Sequence, residues 1–389
     1  MTVAATDRVG FRFKRKSAVG AIPGGNGAEL RIRSETFSSP KELTESDEIT
    51  SDAQVQDIVE MYRRGSGSIE FALSYGAQDS QIEAALRGAF AGAATVSAAT
   101  TISAAASDNS INDSGTGFGS ITAGSWIRVS GFVTNGSLFI AKVVSATSAK
   151  IVVSGITLVN ESAGPSVAIK QGDKLANGTT DYFFDLERAN TNVSGLFEIF
   201  RDFIVDTMQM SVQNRQFVTG SFGMVGRTSE MAGSTQMGTP TAAPTNRVYN
   251  AKDHPYRFFE GGIGASFVQK LLSFSLATRL GARDISDIGD GAPSDMATGQ
   301  FSCDGSLTAY YRGADPWKTK FHAGTQTSFV LILKDAAHNT VVIELPLVTL
   351  GDAASPTPGR NQDAVVTVPW RASKDPVSGK TLLIHRIPA

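Results

Sequence analysis

The sequence is poor in the residues that most often announce chemistry. Its one cysteine, Cys303, rules out an intrachain disulfide, and the fold needs no oxidising compartment. Burial as a small apolar residue accounts for Cys303 better than a role as nucleophile. The four histidines, His254, His322, His338 and His385, sit in separate segments without metal-ligand spacing, and each is read as a surface or turn residue. Neither residues 24–29 (GGNGAE) nor 261–266 (GGIGAS) complete a dinucleotide or P-loop pattern, and no GxSxG elbow lies in a strand-to-helix turn. Charge of one sign is also missing. The 35 basic side chains oppose 37 acidic ones, which gives no general drive towards nucleic acid or anionic lipid. Long hydrophobic runs are absent too: residues 88–107 are mostly Ala, Ser, Thr and Gly, too weakly apolar for a membrane span. The first residues, MTVAATDRVGFRFKRK, have no apolar stretch ahead of their charges, unlike a secretory signal. These absences predict a soluble, non-enzymatic protein made in the cytoplasm, with no cofactor and no membrane partner.

What is present points to strands. Gly is frequent, at 39 residues, while Lys and Glu are too sparse for a long-helix protein. Residues 65–90 show the pattern most clearly. Ile69, Phe71, Leu73 and Tyr75 alternate with Ser68, Glu70, Ala72 and Ser74, as in a strand with one apolar and one polar face. Behind Asp79, read as a cap, Ile82, Ala85, Leu86 and Phe90 take helical spacing. So short a helix is unstable alone and must pack on a sheet.

The chain divides into five parts. Residues 1–28 read as a flexible arm, in which Phe11, Arg12, Phe13 and Lys14 belong to a basic run with interleaved aromatics, followed by a hinge at 23–27 (PGGNG). Residues 29–90 and 178–228 form a first β-sandwich unit. Within it, Glu45, Asp47, Glu48, Asp52, Asp57 and Glu60 crowd together; no aromatic platform or shaped pocket flanks them, so a solvated loop is the simpler account than paired catalytic carboxylates. Residues 91–177 are an insert, a low-complexity linker to about 115 and then a small β domain with a hairpin turn at 134–137 (TNGS). A linker, 229–248, leads to a second unit, 249–389.

The second unit repeats the order of the first. Residues 305–307 (GSL) match 67–69 (GSI), and Asp315 with Pro316 opens a short helix as Asp79 does. Residues 328–348 parallel 181–200, with Phe329 set against Phe183, and residues 362–372 parallel 215–226. The expectation is a mainly β protein: two related sandwich units, each with a short flanking α-helix, plus an inserted small β-barrel-like domain.

Residues 46–90, 217–226 (FVTGSFGMVG), 305–311 (GSLTAYY) and 375–386 (DPVSGKTLLIHR) together resemble the tail tube proteins of long, non-contractile-tailed bacteriophages. The resemblance covers most of the chain outside the arm and the insert, and residues 124–132 (GSWIRVSGF) are similar to inserts carried by some members. It implies tail-tube-type sandwiches whose sheets join those of neighbours into a closed barrel, in rings that stack into a hollow tube for DNA. It implies a place in the virion tail, with the chain itself as main partner and the tape measure, tail terminator and distal tail proteins beyond. DNA would pass without specific binding. Ile69, Phe71, Leu73, Tyr75 and Leu86 would then pack inside the sandwich beneath the helix. Ser68, Glu70, Ser74 and the second-unit counterpart Thr308 would face the lumen, and Phe11, Arg12, Phe13 and Lys14 would bridge rings. Relatives with one sandwich form sixfold rings, so two sandwiches per chain predict a trimer with pseudo-sixfold symmetry; a hexamer is the alternative. The insert is expected outside the bore. Two competing functions are a carbohydrate-binding or adhesin module using Trp126 or Trp317 as platform, and a hydrolase built on Asp47 and Glu48.

Overall fold

The computed structural model describes residues 8–251, 257–263, 271–310, 316–353, 360 and 362–389. Strands make up 50% of the chain and helix 4%, so the mainly β expectation holds. One 16-stranded antiparallel sheet runs through both halves, and a separate seven-stranded sheet forms the insert.

In the first half, side-chain alternation builds a sandwich. Gly65–Ala72 turns Ile69 and Phe71 inward, and both are fully buried. Thr219–Gly226 runs beside it, and Phe71 stacks on Phe222 with ring centroids 4.6 Å apart. The neighbouring strand, Phe197–Gln213, is 17 residues long and serves both layers. Its C-terminal part pairs with Thr219–Gly226, and its N-terminal part pairs with Phe183–Asn190 and Thr228–Ala232. Register shifts between Phe184 and Leu186 and between Val205 and Thr207 mark bulges, which bend a strand from one layer into the other. The helix Asp79–Leu86 buries Ile82, Ala84, Ala85 and Leu86 on this core and ends at Arg87, which is left-handed at φ 55°.

The second half repeats this register. Ile69 lies opposite Phe222, and Leu307 opposite Val368; Gly65 lies opposite Gly226, and Cys303 opposite Ala372. The bulge between Phe184 and Leu186 recurs between Thr327 and Phe329, so Phe329 answers to Leu186 rather than to Phe183. The helix Pro316–Ala323 recurs as well. Asp315, expected to open it, lies outside the described residues, as does His254.

Several expectations need correction. The N-terminal arm is a strand from Val9: Val9–Lys16 pairs along its whole length with Phe183–Asn190, as Arg257–Glu260 pairs with Thr327–Lys334 in the second half. Phe11 is buried and stacks on Phe37. The cations that suggested a solvated arm meet carboxylates distant in sequence. Arg12 reaches Glu187 at 3.0 Å, and the Lys16 ammonium lies 2.6 Å from Asp185 and 2.5 Å from Asp202. The acidic stretch is a β-hairpin, Lys41–Glu45 against Ile58–Arg63, not a loop. Residues 91–115 are not a linker, because Ala94–Ala99, Ile102–Ala105 and Ser110–Asp113 are strands of the insert's sheet. The linker at 229–248 begins inside the strand Thr228–Ala232. Asp79 does not cap its helix; Gln78 holds that position without a side-chain bond, and Asp79 pairs with Arg386. His385 is fully buried rather than a surface residue.

The insert encloses its own apolar cluster, including Ile111, Ile127, Val129 and Ile151, and docks on the second half. Trp126 packs there with Phe259, Val330, Ile332 and Val342, and Lys142 pairs with Glu344. On leaving the insert, Asp173–Ala176 adds to the second half by pairing with Leu383–Ile387.

Candidate assembly surface

One layer of the large sheet crosses from half to half without interruption. Its order is Gly65–Ala72, Thr219–Gly226, the C-terminal part of Phe197–Gln213, Leu271–Arg279, Ser302–Tyr310 and Val365–Ala372. The joint between halves pairs Thr207 with Arg279, Met208 with Thr278, and so on to Gln213 with Ser273. The layer curves as a half-barrel. Because strands alternate, its core face carries Ile69, Met208, Phe274 and Leu307, all buried, and its other face carries small polar groups. Ser275 and Ser306 hydroxyls lie 3.0 Å apart, those of Thr308 and Thr367 3.3 Å apart, and Ser34 donates to Glu70 at 3.0 Å. The exposed fixed charges on or beside this face are few and of both signs: Glu70 and Asp304, with Arg33, Arg215, Arg279 and Arg371.

The repeated Gly-Ser pair has a steric cause. A Cβ on Gly67 would fall 2.6 Å from Phe37, and one on Gly305 would fall 2.0 Å from the Ser275 carbonyl oxygen and 2.6 Å from the Trp370 ring. In both halves this glycine lets an aromatic ring lie against the strand.

The structure distributes the residues singled out from sequence as follows. Ile69, Phe71, Leu73 and Leu86 are buried in the first half's core. Tyr75 is half-buried against it, and burial pushes its hydroxyl up to about 12. Ser68, Glu70 and Thr308 lie on the polar face. Ser74 does not: its strand ends at Ala72, it is buried, its hydroxyl accepts from Arg31 at 3.1 Å, and its N–H donates to Gln78. Phe11 and Phe13 pack on the core, while Lys14 donates to the Gln236 carbonyl. These four residues are therefore not available as an arm between rings. Trp126 and Trp317 are both buried, so neither offers a platform for a sugar. Asp47 and Glu48 lie in the exposed connection of the hairpin. Among the described residues no group of three or more His, Cys, Asp or Glu could hold a metal.

Sequence reasoning reads residues 266–280 as a strand or hairpin and 28–37 as a strand, but misses the place of each in this surface. Leu271–Arg279 is the joint between the halves. Ser34–Glu35 is an edge, where exposed Ser34, Thr36 and Ser38 alternate with Glu35 and the buried Phe37. The hairpins next to these strands also match in register. Thr44 opposite Val59 and Glu45 opposite Ile58 repeat Arg283 opposite Ala297 and Asp284 opposite Met296. In the second half, Met296 is buried against Phe183 and Ile204 of the first half, and Asp284 accepts from Tyr62 at 2.8 Å. In the first half, Leu43, Ile58, Val59 and Met61 stand exposed.

No curated protein shows significant similarity to the chain. A family model described as phage tail tube protein matches residues 6–372, nearly the whole chain. With its strand-rich halves and polar half-barrel face, the chain belongs to the phage tail tube protein family, as a structural protein of the virion tail.

Proposed function

We propose that three copies of this chain close into a ring of six sandwich units with pseudo-sixfold symmetry, and that such rings stack into the tube of a long non-contractile tail. The observation that carries this reading is the joint between the halves. Residues 207–213 pair with 273–279 as two neighbouring subunits of a barrel would, so one chain already spans two units of a wall. Closing the wall through further copies removes the edges that otherwise invite uncontrolled pairing. The tube assembles in the host cytoplasm with tape measure, terminator and distal tail proteins, and duplex DNA leaves through it.

The polar face suits a wall that DNA slides past. Duplex DNA carries about one charge per 1.7 Å of axis, and a strongly basic wall would hold it. Here hydroxyls dominate, and the few charges are of both signs. The insert, seated on the second half's other layer, stays outside the bore. Negative-stain microscopy with native mass measurement tests the proposal. Hollow rings of three chains are expected. Six chains per ring would replace the trimer by the hexamer, and a folded monomer at every concentration would sink the proposal.

A further inference from the structure

We infer that successive copies join edge to edge in the register that already links the two halves of one chain, placing Pro40 of one copy opposite Asp352 of the next. This rests on the ring proposed above and supplies the subunit contact that the ring requires.

The chain carries both partners of that joint, one near each end. The first is the edge around Ser34–Glu35. Ser34 lies opposite Glu70, and Ser38 exchanges backbone bonds with Ser66 at 3.0 and 2.9 Å. Among the described residues no strand takes the other side of this edge. The outward N–H of Phe37 is held instead by the Glu35 carboxylate at 3.0 Å. Leu271–Arg279 is the same strand in the second half: Ser273 lies opposite Thr308, and Ala277 opposite Asp304. Its other side is occupied by residues 207–213.

The second partner follows Thr340–Leu350, which repeats the long strand Phe197–Gln213. Thr349 opposite Arg371 and Leu350 opposite Trp370 answer to Ile204 opposite Val225 and Val205 opposite Met224. Gly351, Asp352 and Ala353 therefore stand where Asp206, Thr207 and Met208 stand; Gly351 N–H donates to the Pro369 carbonyl of Val365–Ala372 at 2.8 Å, and among the described residues no strand lies on the segment's other side. Copying the internal joint sets Asp352 opposite Pro40 and Ala353 opposite Ser39.

Pro40 fits this register. Leu280 N–H donates to the Asp206 carbonyl at 2.8 Å, so Thr207 and Arg279 form a non-hydrogen-bonded pair. A residue in the Arg279 position owes no N–H to its partner strand, and proline has none to give. A slip of one residue would put Pro40 where a donor is needed. The same joint carries the exposed first hairpin over the neighbouring copy, as the second hairpin lies over the first half.

Paired cysteines test the register in the full chain. Non-hydrogen-bonded partners have Cα atoms about 4.5 Å apart, within disulfide reach. Oxidised rings of Pro40→Cys/Asp352→Cys should give covalent dimers and trimers on a non-reducing gel, with the trimer as limit. Mixing the two single variants should give dimers only, which keeps the test open if the double variant folds poorly. Thr207→Cys/Arg279→Cys should close within one chain and calibrates the geometry. The shifted pair Ser38→Cys/Asp352→Cys should crosslink about tenfold less. Rings that form without the interchain bond, while the internal control closes, would overturn the register and leave the ring standing. Absence of both rings and bonds would remove the two together.

Discussion

The two hairpins of this chain have the same register and opposite surroundings. The second, Arg283–Ile285 with Asp295–Ala297, buries Met296 on the first half of its own chain. The first, Lys41–Glu45 with Ile58–Arg63, leaves Ile58, the counterpart of Met296, exposed. The difference is one of position along the chain. The second hairpin has the first half's core behind it; the first touches the second hairpin's Asp284 and Gly291 through Tyr62 and Arg63, and among the described residues nothing covers its Leu43, Ile58, Val59 and Met61. In the ring proposed above, these exposed apolar side chains would meet the neighbouring copy.

The strongest break in this comparison is expected where the halves bury charge of opposite sign. On its N-terminal strand the first half buries Lys16 between Asp185 and Asp202, whereas the second buries Glu260 against Lys320. Lys16→Met removes the buried cation shared by the two carboxylates, leaving Asp185 to Arg201 and Asp202 to Arg227, and should cost about 3 kcal/mol in denaturant melts. A loss below about 1 kcal/mol would restore a dispensable N-terminal arm.

The next effect belongs to the second half alone, where the insert docks. Burial by itself would raise the Glu344 carboxyl, but His385, with Nε2 3.6 Å away, and the Lys142 ammonium more than reverse this and hold it at about 2. Burial pushes the His385 ring down. A carboxyl depressed on folding stabilises above its unfolded value and loses that contribution as pH falls through the folded one. Between about pH 4.5 and 2 the protein should lose about 3 kcal/mol through Glu344. Limited proteolysis should show the insert loosening across that window, and Glu344→Gln should flatten the dependence.

A smaller contrast separates the hairpins. Met296→Ala should cost the isolated chain about 2–3 kcal/mol, while Ile58→Ala should stay within about 0.5 kcal/mol. Equal losses would erase the comparison drawn above. Ile58→Asp should act on ring yield instead. Glu70→Lys and Thr308→Lys should change stability least, within about 0.5 kcal/mol, because both sites are solvated. Their expected readout is slower DNA release from assembled virions, and unchanged release kinetics would deny the polar face its role as the bore.

Side-chain chemistry decided how much of this was legible. Ile69 and Phe71 announce their strand because one face is buried, which writes a period of two into the sequence. The Gly67 and Gly305 repeat was visible because an aromatic ring excludes any other residue there. The joint between the halves was not visible, because strand pairing uses the N–H and C=O that nearly every residue carries. Val9–Lys16 read as solvated because its carboxylate partners, Asp185 and Asp202, lie far along the chain. Residues 91–115 read as a linker because their strands are largely Ala, Ser and Thr, which leave little hydrophobic alternation. Ser74 was placed by extending the alternation past Ala72, where the strand had already ended.

The seat of the insert has a consequence for the outside of the particle. Phe259, Val330, Ile332 and Val342 of the second half are covered by Trp126, and the second half's own connection at the matching place is only residues 324–326. A cylinder of such chains would carry its outer knobs at every other wall segment. Averaged images should then show threefold density at large radius around a wall that repeats six times.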